Sequence, residues 1–130
     1  MKLISIWLDN DVQRRIPPAP YNVWFQKEFD KMAEYVIANA YRIENISFDN
    51  DLGVKLEGHH IAREIYERIH EKRILFPRLR TITAHTGNVV AAERIISYFK
   101  RLNDLEKIQC KVIRQEYRPS GVFGFKGTII

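Results

Sequence analysis

The hydrophobic period along this chain switches repeatedly between the pattern of strands and that of helices. Leu3-Ile4-Ser5-Ile6-Trp7-Leu8 is a nearly continuous apolar run, as expected of a strand buried on both faces, and it stops at Asp9-Asn10-Asp11. Pro17, Pro18 and Pro20 then enforce an extended loop from Ile16 to Asn22. Val23-Trp24-Phe25 reads as a brief strand. From Gln26 to about Ala40, Phe29, Met32, Ala33, Val36 and Ile37 recur at helical spacing and predict an amphipathic helix. Ile43 to Phe48 is a second core strand, again running into acid at Asp49-Asn50-Asp51. A helix begins near Gly58, striped by Ile61, Ala62, Ile65 and Ile69, and ends before Pro77. Arg80 to Ala84 is a short β-branched strand that ends at His85-Thr86-Gly87-Asn88. Asn88 suits the N-cap of the next helix, which carries Ala91, Ala92, Ile95, Ile96 and Phe99. Ile108 to Ile113 is the last predicted strand. The tail over 117–130 is punctuated by glycine and left without a definite structure, with Val122-Phe123 and Ile129-Ile130 as candidates for an edge strand.

Strands alternating with helices predict right-handed βαβ units and a mostly parallel sheet. At 130 residues the chain fits one compact domain over 1–130, and no linker or low-complexity segment divides it. Its 45% hydrophobic and 28% charged content excludes a disordered chain. No apolar run is long enough to cross a membrane, and the N-terminal segment lacks a small-residue cleavage site, so a cytoplasmic protein is expected. Cys110 is the single cysteine, which excludes a disulfide framework and a thiolate metal cage. The net charge of +5 favours an anionic partner. The basic residues of the middle third (Arg63, Arg68, Lys72, Arg73) alternate with Glu64, Glu67 and Glu71, the pattern of a solvated helix face.

Candidate chemistry gathers where the strands end. In open α/β sheets ligands bind outside the carboxyl ends of the strands. With a flavodoxin-like strand order, Asp9, Asp49, Asp51 and His85 would meet in one pocket. Carboxylates held together stay ionised only when a cation joins them, and hard oxygen ligands suit Mg²⁺ or Mn²⁺. Asp9, Asp49 and Asp51 are thus the candidate metal ligands. His85, together with Asp49, is the candidate acid or base. Thr86 and Asn88, at a helix start, are candidates for holding phosphate oxygens, and Arg14 and Arg15 for clamping them. Asp11 reads as a turn former. His59 and His60 open a helix, and one of them is expected to face the pocket; His60 is the candidate substrate contact. His70 reads as surface. The Gly-rich phosphate loops and the nucleophile elbow are absent.

At these residues the sequence resembles the receiver-like family called the cyclic-phosphate processing receiver domain. The resemblance lies in Leu8-Asp9, the proline-rich loop at Pro17-Pro18, Ile46-Ser47-Phe48-Asp49-Asn50-Asp51-Leu52-Gly53, the Gly58-led helix and His85-Thr86-Gly87-Asn88, and spans roughly residues 3 to 102. It implies a three-layer flavodoxin/receiver-like fold, an open, mostly parallel sheet with helices on both faces. It also implies action on a cyclic phosphate, at an RNA end or in a cyclic nucleotide, in RNA repair or phage–host conflict. Asp9, Asp49, Asp51, His85, Thr86 and Asn88 fall on the family's functional positions. Asn10 stands where the family carries a second Asp, and Gly58-His59-His60 where its helix often starts Gly-Tyr-Asp.

Three functions compete on this reading. The first is a divalent-cation-dependent phosphoesterase acting on a nucleotide or RNA end. The second is a non-catalytic receiver-type phospho-acceptor or nucleotide sensor, weakened because Lys111 lies inside a predicted strand rather than at its end. The third is a nucleic-acid-binding module relying on charge; the aromatics Phe29, Tyr35, Tyr66 and Phe99 fall within helical stretches and give it no stacking platform.

Overall fold

The computed structural model describes residues 1–10, 16–115 and 124–130. In chain order the elements are β1 (Ile4–Leu8), β2 (Val23–Phe25), α1 (Met32–Ala38), β3 (Ile43–Phe48), α2 (Gly58–Glu71), β4 (Thr81–Ala84), α3 (Val89–Asp104), β5 (Lys111–Arg114) and β6 (Thr128–Ile129). They form one sheet in the order β5-β4-β3-β1-β2-β6, and every pairing is parallel. The first five strands take the flavodoxin/receiver order, with β1 central and the chain reversing direction beside it.

The register explains where the core sits. Ile6, Ile46 and Ile82 lie side by side across β1, β3 and β4, as do Leu8, Phe48 and Ala84. These rows are buried and pack with Ala62, Ile65, Ala92, Ile95 and Phe99 of the helices. The alternate rows read Ser5, Asn45, Thr81 and then Trp7, Ser47, Thr83. Side chains alternate in direction along a strand, so these polar rows face the other way.

The resemblance implied helices on both faces. Instead, α1, α2 and α3 pack against one another in sequence and form one layer. Chain handedness accounts for this. The steps β2→β3, β3→β4 and β4→β5 all move in one direction across the sheet, so right-handed crossovers put their helices on one side. The steps β1→β2 and β5→β6 run the opposite way, and among the described residues of those two connections there is no helix.

Three boundaries differ from expectation for local reasons. The helix predicted from Gln26 starts later, after a 3₁₀ turn at Phe29–Lys31, because the amides of Gln26 and Lys27 donate to the Ile130 carbonyl. The strand predicted from Ile108, β5 at the other edge, begins at Lys111, since the Asn103 amide bonds both the N–H and the carbonyl of Cys110. In the tail, Thr128–Ile129 pairs with β2 as an edge strand, whereas Val122-Phe123 lies outside the described residues.

Candidate active site at the strand ends

The ladder continues one residue past β1, β3 and β4. Asp9 N–H donates to Phe25 O, Asp49 N–H to Leu8 O, and His85 N–H to Phe48 O. Asp9, Asp49 and His85 therefore stand at one level, on the parity of the polar rows. Asp9 is fixed further by the Trp24 indole N–H, which donates to its carbonyl at 2.9 Å.

His85 is buried and held from three sides. Its ring stacks on Trp7 with centroids 3.8 Å apart and planes 9° apart. Nδ1 meets Ser47 Oγ at 2.7 Å, and Nε2 meets Asp9 Oδ2 at 3.2 Å. Burial pushes the imidazole pKa down to about 4, against the opposing pull of Asp49. The ring is thus neutral near pH 7, and its contact with Asp9 is an N–H donated to a carboxylate rather than an ion pair. That assigns the proton to Nε2 and leaves Nδ1 to accept the Ser47 hydroxyl. Asp49 moves the other way. Burial first, then the charge of Asp9 and a hydrogen bond to it, push the Asp49 carboxyl up to about 7, while His85 opposes the rise. Two crowded carboxyls that retain a proton near neutrality form an oxygen-donor pair that a hard cation would also satisfy.

The other predicted residues take varied places. Asp51 is exposed, and its Oδ1 accepts the Gly53 N–H at 3.0 Å in an Asx turn. Thr86 is buried and its Oγ1 accepts the Asn88 N–H, while Asn88 Oδ1 caps α3 by accepting from Ala91 N–H at 3.0 Å. Both keep donors unspent in these bonds, the Thr86 hydroxyl proton and the Asn88 amide. His60 is exposed and its Nδ1 accepts the Glu57 N–H at the start of α2. It is His59 that turns inward, its Nδ1 2.8 Å from Oδ1 of the buried Asn50. Asp11, Arg14 and Arg15 lie outside the described residues. Lys111 opens β5, at the level of Ser5 and Asn45, far along the strand from the acids. The basic residues of α2 pair within the helix, Arg63 with Glu67 and Arg68 with Glu64.

Gly58 couples α2 to this site. A Cβ there would stand 1.7 Å from the Asp49 carbonyl oxygen, so only glycine lets the helix start touch the strand end. Its N–H donates to Asn50 O at 2.9 Å. Beside it, Glu57, His59 and His60 bring ligand atoms within 4.8 Å of one another, a group among the described residues that could take a metal ion.

Sequence reasoning overlooked Trp7, Ser47, Tyr21 and Asn50. The signal was parity. Trp7, Ser47 and Thr83 each stand two residues before Asp9, Asp49 and His85, and so share their face. Tyr21 comes from the proline-rich loop. Its ring meets Trp7 edge-on at 4.8 Å, and burial raises the pKa of its hydroxyl while the neighbouring side chains of Ser47, Thr83 and Thr81 oppose the rise.

A parallel sheet of this order, with acids ending β1 and β3, defines a receiver-like α/β domain. Residues 4–101 match the sequence profile of the cyclic-phosphate processing receiver domain. The chain belongs to that family. No curated protein and no solved structure matches it. No helix among the described residues is long and apolar enough to cross a membrane.

Proposed function

We propose that this domain is a divalent-cation-dependent phosphoesterase that opens a cyclic phosphate on a nucleotide or RNA end. One observation carries the reading: at the strand ends Asp9 bridges His85 Nε2 and the Asp49 carboxyl. Asp9 and Asp49 would hold Mg²⁺ or Mn²⁺; the exposed Asp51, expected as a third ligand, does not gather with them and instead closes the Asx turn to Gly53. When bound, the ion supplies Lewis-acid polarisation of a phosphoryl oxygen. The start of α3, with Thr86 and Asn88, offers donors to the remaining phosphate oxygens.

Hydrolysis adds a water oxygen to phosphorus and breaks one P–O bond of the ring. Asp49 takes the proton of the water. A phosphate anion beside Nε2 favours the protonated imidazole, so His85 hands a proton to the departing oxygen. Asp9, in contact with both, returns the proton from Asp49 to His85. The Trp7 ring shields the imidazole from water and fixes its plane.

The test is hydrolysis of a nucleoside 2′,3′-cyclic monophosphate in Mn²⁺. Asp49→Asn and His85→Ala, each shown to be folded by circular dichroism, should lower the rate by about a hundredfold or more. Wild-type rates in both variants would refute the mechanism. Calorimetry gives a second readout: Mn²⁺ binding should release protons below about pH 7, where Asp49 holds one.

A further inference from the structure

The polar face of the sheet holds more than the strand-end acids need. A cavity of about 700 Å³ runs from His85 back along the sheet, between the Pro18–Tyr21 loop and Ile113, Arg114 and Gln115 at the end of β5. That volume exceeds what a phosphate group requires and matches sites for nucleotide-sized ligands. Its floor is Ser47 and Thr83, both buried hydroxyls. Behind them Asn45 donates to Ser5 Oγ at 3.0 Å and accepts from Thr81 Oγ1 at 2.6 Å, which closes the inner end with a satisfied network. Ile113 gives an apolar wall and Tyr21 an aromatic one.

From this we infer that the cavity is a nucleoside pocket, taking the base and ribose of the nucleotide whose phosphate lies at Asp9 and Asp49. The chemistry of the lining selects such a ligand. Among the described residues no carboxylate and no ammonium group lines the cavity, and the one full charge among them, Arg114, is exposed. The Asp9 carboxylate meets the cavity at His85. The matching ligand has a flat neutral body with edge donors and acceptors and an anionic end, as a nucleotide does. The Thr83 hydroxyl can donate or accept, and Ser47, whose proton goes to His85, can still accept, so they read a base edge without demanding one base.

This inference rests on the phosphoesterase reading only for the placement of phosphate, and the two fail separately. The probes are adenosine, adenosine 3′-monophosphate and inorganic phosphate, titrated calorimetrically into the full chain. The nucleotide should bind about a hundredfold more tightly than inorganic phosphate. Ile113→Trp, which fills the cavity, should weaken adenosine and the nucleotide by about tenfold or more. Thr83→Val, nearly isosteric, should cost the nucleotide about fivefold and serves if Ile113→Trp does not fold. Equal affinity for nucleotide and inorganic phosphate, or nucleotide affinity indifferent to a folded cavity variant, overturns the pocket. Nucleoside binding without any hydrolysis supports the pocket and sinks the phosphoesterase reading. Hydrolysis unaffected by the filled cavity does the reverse.

Discussion

The two faces of this sheet are built from the same strands and do opposite work. Toward the helices, Ile6, Ile46 and Ile82, then Leu8, Phe48 and Ala84, form rows with no polar atom beyond the backbone. Away from them, Ser5, Asn45 and Thr81, then Trp7, Ser47 and Thr83, form rows that end in Asp9, Asp49 and His85. The first set is buried, and the second is buried except for the half-buried Thr81, Asp9 and Asp49. The first face is stabilised by packing, which tolerates no charge. The second keeps polar groups satisfied by one another, and a buried, satisfied polar network gives orientation rather than strength. Stability therefore resides on one side, and the proposed chemistry on the other.

The largest effect should come from the apolar side. Phe48 is fully buried and stacks on Phe99 with centroids 5.5 Å apart. Phe48→Ala should cost about 3–5 kcal/mol in urea unfolding, enough to threaten the fold. A loss no greater than that of a substitution among the polar rows would erase the distinction between the faces.

The sequence made the inner strands and their parallel sense legible, because β1 and β3 are compact apolar runs that stop at acids and β4 is a β-branched run between two helical patterns. The two-sided division was hidden by the same feature. In Leu3 to Leu8 a tryptophan occupies the polar parity, so Ser5, Trp7 and Asp9 do not stand out as one row. Ser47 and Thr83 read as ordinary strand residues for the same reason. Which of two adjacent histidines turns inward was equally invisible: His60 matched the expected pocket contact, but its ring closes the helix cap with Glu57 while His59 reaches Asn50. Caps of that kind depend on where the preceding loop ends, and the loop after Asp49 is irregular.

Acid should separate the faces next. Asp49 sits at about 7 in the fold against 3.8 as a free side chain, so its proton adds stability fully below pH 3.8, and this is lost as pH rises through 7. His85 sits at about 4 against 6.5, so its contribution is present above 6.5 and lost as pH falls through 4. Between these limits the slopes oppose each other in the wild type. Asp49→Asn leaves the histidine alone. Its urea midpoint should therefore fall more steeply than that of the wild type on acidification from pH 6.5 to 4. Parallel curves for the two proteins would show that the acid and the imidazole do not share one buried site.

A smaller and more local change should follow Ser47→Ala. Removing the hydroxyl leaves Nδ1 of His85 without that 2.7 Å partner, at a cost of about 1–2 kcal/mol. The diagnostic is the ring itself. Nitrogen-15 shifts of His85 should report the Nε2–H tautomer in the wild type and a mixture of tautomers in the variant. A single unchanged tautomer would mean that Asp9 alone fixes the ring and that the polar row beneath it is passive.

The smallest effect should lie on the outer surface of the helical layer. Arg63 and Glu67, and Arg68 and Glu64, meet at 2.9 Å along α2 with both partners substantially exposed. Such pairs are screened by water and salt, so Arg63→Ala with Arg68→Ala should shift stability by only about 0.5 kcal/mol or less. The double variant also asks whether the positive charge of α2 guides the ligand. These arginines stand across the sheet from the cavity, with the apolar rows between, and each already has a carboxylate partner. Nucleotide affinity measured at moderate salt should change less than about twofold. A fall beyond about tenfold would place the anion on the helical layer and break the division of labour between the faces at its root.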